Sequence, residues 1–561
     1  MRRNWKISVA IICITAALVT GCGGNQNSSI NSANDSTVVT ESEESTTDTT
    51  EPTISTSSTV VVDKEFTAND LEVGYEESTA TKVKLNDKNI EVSGDGASAK
   101  EGVLTIHDKG TYVITGTLKE GQIIVDAEDS DKVQIVLNGV TITCSFNAPV
   151  YVKNADKVFL TLHSNTENTL IDGTEYTQID DNKVDGVIFS TADLTINGEG
   201  TLTINGNYKH GIASKDDLVI AGGTFHITAV KDALNGKDCV KIKEGIFYLT
   251  VKDGNGIQSK NDDDTTKGYV YIGGGVINIE NSQEGIEGTA IVIDDGIINI
   301  IAQDDGLNAS SGEATTEADS NSANITETPT DMDTSTDVNT DITVSSDATS
   351  SATNDTSAGK FGRGGFGAGG GEMENNANCY IAINGGTVTL DASGDGLDSN
   401  GSIYLSGGTT YVNGPTADNN AGMDYNGTAE ITGGTIVVIG SAGMAQGFSD
   451  TSTQYSILNN FTSSITEGTE VKLTDKDGNT VVSYIPKKQY QSILVSSPDL
   501  IKDETYTLSC GDQSTELTLS SIVTSNGQQG GGFGGRGGKM NRDGQPPQGR
   551  IEQPSDDTTT S

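Results

Sequence analysis

A four-residue motif recurs about every 22 residues along this chain, and no other feature limits its fold so strongly. Its copies are Lys209-His210-Gly211-Ile212, Lys231-Asp232-Ala233-Leu234, Gly254-Asn255-Gly256-Ile257, Gln283-Glu284-Gly285-Ile286, Asp304-Asp305-Gly306-Leu307, Gly394-Asp395-Gly396-Leu397 and Asn420-Ala421-Gly422-Met423. The small residue falls at 186, 211, 233, 256, 285, 306, 396, 422 and 443. Two of these gaps are long, and removing the acidic loop 261–267 and the tract 311–376 restores both to the common spacing. Self-similarity at a fixed period of this length is the signature of stacked repeats.

Between motifs run two apolar-alternating segments joined by a glycine turn, such as Leu218 and Ile220, then Gly222-Gly223, then Phe225 and Ile227. Strand side chains alternate between faces, so this period of two predicts strands with one buried face. The same positions stay apolar in later copies: Val240/Ile242 with Phe247/Leu249, Val270/Ile272 with Ile277/Ile279, and Ile291/Ile293 with Ile298/Ile300. Units this short leave no room for a crossover helix and bury their recurring face only by coiling about a shared axis. The predicted fold is all-β: a single-stranded right-handed parallel β-helix, or solenoid, with a small β-rich C-terminal cap and disordered tails. A propeller blade needs about 40 residues, which the period excludes.

The expected organisation follows the repeat. Residues 1–21 read as a signal peptide, 22–61 as a Ser/Thr- and acid-rich stalk, and 62–150 as an N-terminal cap with irregular first coils. Repeats fill 151–310 and 377–445 on either side of a low-complexity insertion, 311–376. A β-rich cap over 446–525 and a glycine-rich tail over 526–561 complete the chain. Stalk, insertion and tail lack the apolar surface needed to offset chain entropy, so they are expected to stay unfolded.

At the N-terminus Arg2, Arg3 and Lys6 precede an apolar run from Ile7 to Val19 that closes on Thr20-Gly21-Cys22. A run of about 13 apolar residues is too short for a hydrocarbon core that needs about 20, so this is an export signal rather than a span. Its closing string resembles the lipobox of bacterial lipoproteins. That resemblance implies lipidation at Cys22, a membrane partner through the anchor, and a place on the extracellular face of the cell membrane.

Charge and cysteine usage exclude other classes. With 79 acidic against 34 basic residues the formal net charge is −45, so nucleic acid is not an expected partner. Cys144, Cys239, Cys379 and Cys510 show no CxxC or CxxH spacing, which excludes a zinc or dithiol motif. No Ser-His-Asp constellation is readable among 4 His residues, and no isolated glycosidase pair stands out among the carboxylates.

Aligned coils stack equal positions about 4.8 Å apart, so each motif position becomes a column. The position before the small residue carries Asp185, His210, Asp232, Asn255, Glu284, Asp305 and Asp395; two places after it come Asn235, Gln258, Glu287, Asn308, Asp398 and Asp424. Like charges at that spacing repel unless a cation intervenes. Hard oxygen donors without a His or Cys cluster select calcium, with Asp232, Asn235, Glu284, Glu287, Asp305, Asn308, Asp395, Asp398 and Asp424 as candidate ligands. The competing explanation is turn chemistry, because Asp-Gly and Asn-Gly favour tight turns and amides stack as ladders. Outward positions of the strands carry Tyr248, Tyr271, Tyr404 and Tyr411, an expected flat aromatic face for sugar rings, although tyrosine is also common in strands for its own sake.

The recurring D-G-[IL]-[DNEQ], apolar strand, Gly-Gly, apolar strand pattern, with Ser496-Ser497-Pro498-Asp499-Leu500 and Tyr506 in the tail, resembles a family of bacterial carbohydrate-binding-domain proteins. The resemblance covers roughly residues 62–523 and implies an exported β-helix of pectate-lyase-like fold, associated with calcium and acidic, polygalacturonate-like sugars. The expected function is non-catalytic binding of acidic or plant cell-wall polysaccharide, with Ca2+ as cofactor, by a monomer. Two alternatives stand beside it: a calcium-dependent polysaccharide lyase, for which Lys209 and Lys231 are the candidate bases, and a structural adhesin or spacer.

Overall fold

The computed structural model describes residues 60–311 and 375–527. Every described residue belongs to one compact unit. The expected export signal, Cys22, the stalk up to residue 59, residues 312–374 and the tail from 528 lie outside the described residues.

The described chain is all-β, with one helix of four residues, Ala68–Leu71. Three ladders of parallel strands form a solenoid-like stack. One is a twelve-stranded sheet from Ala97–Lys100 to Met423–Tyr425, parallel throughout after an antiparallel opening pair. The second runs from Lys157–Leu162 to Ala429–Ile431 and the third from Glu167–Asp172 to Thr435–Gly440. The long strand Lys132–Cys144 pairs with the first strand of both and so opens them together.

One coil shows why the sequence folds this way. Leu234–Gly236, Cys239–Ile242 and Ile246–Val251 follow one another, and each pairs with its equivalent in the next coil: Leu234 with Ile257, Val240 with Val270, Phe247 with Ile277. Their inward side chains Leu234, Val240, Ile242, Phe247 and Leu249 are all fully buried in one continuous core. Each such side chain contributes about 1.5–3 kcal/mol over exposure, so recurring apolar positions hold the coils together. Phe225 and Phe247 stack inside that core with ring centroids 4.8 Å apart. The last residue of the motif opens a further short strand, Leu234–Gly236 here, so that each coil has three.

Two kinds of glycine serve this geometry. At the Gly-Gly turns a left-handed backbone is required, as at Gly223 with φ of 118° and Gly275 with φ of 96°. The motif glycines are different: a Cβ on Gly256 would sit 2.7 Å from the carbonyl oxygen of Gly285, so it is the close approach of the next coil that demands a small residue there.

The array continues in register across the insertion, since Ala290–Ile293 pairs with Tyr380–Ile383 and Leu307–Ala309 with Leu397–Ser399. At the other long gap, Asn261 and Lys267 of the acidic loop both bind Asp238 of the preceding coil.

Ahead of the first coils, Thr81–Asp87 and Asn89–Ser93 pair antiparallel at the head of the stack, but the residues before them take another course. Residues 60–72 run along the flank of the second ladder as a strap. Val60 and Phe66 pack on Tyr269, Tyr271 and Val292, Asp63 pairs with the buried Lys241 at 2.6 Å, and Asp70 pairs with Lys157 at 2.9 Å. At the C-terminal end, Ser456–Ile465 and Tyr490–Ser496 continue the third ladder in antiparallel fashion from Thr435–Gly440. A separate four-stranded antiparallel sheet packs beside them around Leu473, Tyr506 and Leu508.

Candidate functional site

The twelve-stranded ladder turns two motif columns outward. Its register aligns Ala213, Asn235, Gln258, Glu287, Asn308, Asp398 and Asp424, one per coil. The leading column, His210 to Asp395, lies beside it.

Leading residues share a structural task. Most accept the backbone N–H of the counterpart one coil later: Asp232 from Asn255 at 2.9 Å, Asn255 from Glu284 at 3.2 Å, Asp305 from Asp395 at 2.6 Å and Asp395 from Ala421 at 2.5 Å. Glu284 instead takes the side-chain amides of Asn255 and Asn308, and His210 turns Nδ1 to the Asp232 carboxylate at 3.1 Å. Any side chain with an acceptor at that reach will serve, which explains why Asn and Asp interchange. The bonds run between coils and the motif glycines are absent from the positive-φ set, so a tight turn does not account for this column.

In the first coils the two columns satisfy each other. Asn235 donates to Asp232 at 2.6 Å and to Gln258 at 2.9 Å; Gln258 and Asn255 donate to Glu287 at 2.5 and 2.6 Å. Lys260 closes this network with an ion pair to Glu287, and Ser310 adds a bond at 3.2 Å. Burial by itself would raise the Asp232 carboxyl, but the hydrogen bond and charge of His210 outweigh it and hold the group below the usual carboxylate range.

Later coils lack such partners. Asp395, Asp398 and Asp424 bring one carboxylate oxygen each within 4.8 Å of one another, half-buried. Among the described residues no Lys, Arg or His pairs with Asp305, Asp395, Asp398 or Asp424; Gln446 alone donates a side-chain amide to Asp424. Burial, with the neighbouring carboxylates adding to it, pushes Asp395 up to about 8, Asp398 to about 7 and Asp305 to about 6. Burial and the charge of Glu287 push Glu284 to about 8. Asn308 spends its amide on Glu284 at 3.1 Å, leaving its buried Oδ1 without a hydrogen-bond partner. Buried acceptors are ordinarily satisfied, so this oxygen beside Asp398 and the crowded carboxylates together fit a hard cation.

The nine candidate ligands therefore separate. Asp232, Asn235 and Glu287 belong to the self-satisfied network; Asp395, Asp398 and Asp424 gather, with Asp305, Asn308 and Glu284 in the adjoining coils. Crowding among Glu284, Glu287 and Asp305 is relieved at Glu287 by Lys260, a residue that carries no repeat signature. The tightest group lies one coil further on.

The tyrosines do not form one exposed face. Tyr248 and Tyr404 are open, at 38% and 41% exposure, and Tyr248 stacks on His226 with centroids 4.9 Å apart. Tyr271 is only 7% exposed, because the strap covers it with Phe66 and its hydroxyl bonds Asp294 at 3.1 Å. Tyr411 stacks on Tyr484 of the C-terminal region at 4.5 Å. As for the candidate bases, Lys209 lies 3.6 Å from Asp185, and Lys231 donates to the carbonyl of Asp253 at 3.0 Å. All four cysteines outside the N-terminal segment are free and buried.

A family model described as carbohydrate-binding domain-containing protein matches residues 100–418. The chain belongs to this family. A relative of that description from Acetivibrio thermocellus is 32% identical over 206 residues, which is 36% of this chain and 70% of the relative. A solved structure titled a polysaccharide lyase-like protein from C. thermocellum, as a gadolinium derivative, shares 33% identity over 42% of this chain and 92% of that one, with a TM-score of 0.36. The family match takes in all but the end strands of the three ladders and stops short of Asp424.

Proposed function

We propose that this protein is a cell-surface lipoprotein that binds acidic polysaccharide through calcium held on the later coils of the twelve-stranded ladder. Asp395, Asp398 and Asp424 would hold the ion, with Asn308 and Asp305 beside them. Bound there, calcium would neutralise the carboxylates and offer remaining coordination positions to uronate oxygens. The observation that carries this reading is the gathering of three carboxylates without a basic partner beside an unsatisfied amide oxygen. Family membership supports carbohydrate as the ligand, and exposed Tyr248 and Tyr404 are suited to sugar rings. The solenoid is taken as right-handed, in keeping with the strong preference of parallel crossover connections.

Binding rather than cleavage is the favoured chemistry. By the coil spacing, Lys231 and Lys209 stand about 19 and 24 Å from the Asp395 coil, too far to reach a carbon whose carboxylate that cluster holds. Titration of the protein with polygalacturonate, first with calcium and then with chelator, tests the reading while absorbance of unsaturated product is followed. Binding at least about tenfold tighter with calcium, and no rise in absorbance, is expected. Equal affinity under both conditions would overturn the calcium role, and rising absorbance would restore the lyase. Export and lipidation have their own test: fatty-acid labelling of the wild type that disappears in Cys22→Ser, whereas label persisting in that variant would refute the anchor.

A further inference from the structure

The outward column of the twelve-stranded ladder begins differently from the way it ends. Ahead of Asn235 it reads Tyr151, Phe189 and Ala213, and the basic side chains of this strongly acidic chain gather beside Phe189 and Ala213. Lys209 Nζ lies 3.6 Å from one oxygen of Asp185, Lys215 Nζ lies 3.9 Å from the other, and His210 Nε2 is 3.9 Å away. These separations exceed hydrogen-bond length, so Asp185 balances charge without saturating donors. Its Oδ1 is buried and accepts no hydrogen bond. Both lysines remain open, at 44% and 43% side-chain exposure, and their ammonium groups sit over aromatic rings, Lys209 5.6 Å from the Tyr208 centroid and Lys215 5.4 Å from that of Phe189. An ammonium has three donors, so each keeps some for a ligand.

We infer that Lys209 and Lys215, with His210 between them, form an anion subsite that takes a carboxylate of the acidic polysaccharide directly, without an intervening cation. The inference rests on the acidic-ligand reading above and deepens it. Asp185 is the internal counter-charge that holds both ammonium groups on one face. This subsite shares its column with the carboxylate cluster and precedes the Asp398 coil by five rungs, about 24 Å. One polymer lying along the ladder reaches both; a short oligomer reaches one. Joining two sites through one ligand raises affinity without any new contact.

Retention of polygalacturonate by the full mature protein tests this, using wild type, K209Q/K215Q, K209R/K215R and D395N/D398N/D424N, each in calcium and in chelator. In chelator the wild type is expected to keep weak, salt-sensitive retention that K209Q/K215Q loses by about tenfold, the scale of a charge-assisted bond, and that K209R/K215R restores. The aspartate variant is expected to keep that retention and lose the calcium-dependent part. In calcium, wild-type affinity should rise with oligomer length and K209Q/K215Q should flatten the rise. Retention of K209Q/K215Q equal to wild type in both conditions, or no wild-type retention in chelator, would overturn the subsite and leave the calcium reading standing. Lysine-dependent retention that calcium never strengthens would support the subsite and overturn the calcium reading.

Discussion

Coils 210–258 and coils 284–424 place side chains at the same two motif positions, yet the first set closes on itself and the second does not. Asp232 lies between His210 and Asn235, and Glu287, contributed by the next coil, takes bonds from Asn255, Gln258 and Lys260. Among the described residues, Asp395, Asp398 and Asp424 face one another with a single side-chain donor, Gln446, among them. Amides carry donor and acceptor together and can finish a ladder, whereas carboxylates only accept. A repeat can therefore hold its backbone register with any acceptor in the leading column while its second column decides whether the face is sealed or left to recruit a cation.

The broadest way to break this comparison is pH. Glu284, Asp305, Asp395 and Asp398 titrate above their ordinary values in the folded protein, so in chelator it binds more protons than the unfolded chain. Their contribution is fully present below about pH 4 and is lost as pH rises toward about 8. Asp232 is shifted down, so its contribution runs the other way, present above the ordinary carboxylate pKa and lost in acid. Urea unfolding in chelator should show stability falling from pH 5 to 8, with Asp232→Asn flattening only the acid limb. A curve that rises through that range would show that the later carboxylates are paired after all.

Denaturation with and without calcium gives the next largest difference. At a hundredfold excess over Kd the wild type should gain about 2.7 kcal/mol from the ion, and the Asp395→Asn, Asp398→Asn, Asp424→Asn triple variant should gain nothing. Asn255→Ala strips a donor from buried Glu287 and should cost about 2 kcal/mol whether or not calcium is present. The smallest expected effect is at Asn308→Ala, which removes the unsatisfied oxygen and should weaken calcium affinity about tenfold, to be read by calcium titration. Unchanged affinity there would detach Asn308 from the site.

The stack itself was legible because strand period and glycine turns repeat: Val240, Val270 and Ile291 are predicted equivalents and do pair. The columns were legible for the same reason. Which acids are satisfied was not, since Lys260, Ser310, Gln446 and Lys215 sit at positions without a repeated identity and act only once the coils are stacked. Nor was the burial of Tyr271, because residues 60–72 carry no repeat and their docking depends on Asp63 finding Lys241 across 178 positions of sequence. The third strand of each coil starts at the motif's last residue, and its three residues are too few to show alternation.

Isothermal titration with calcium tests the central claim most directly, comparing wild type, the D395N/D398N/D424N variant and an N235A/Q258A control. The two-region account predicts binding heat in the wild type and in the control and none in the aspartate variant. Equal heats in all three, or a loss confined to N235A/Q258A, would contradict it.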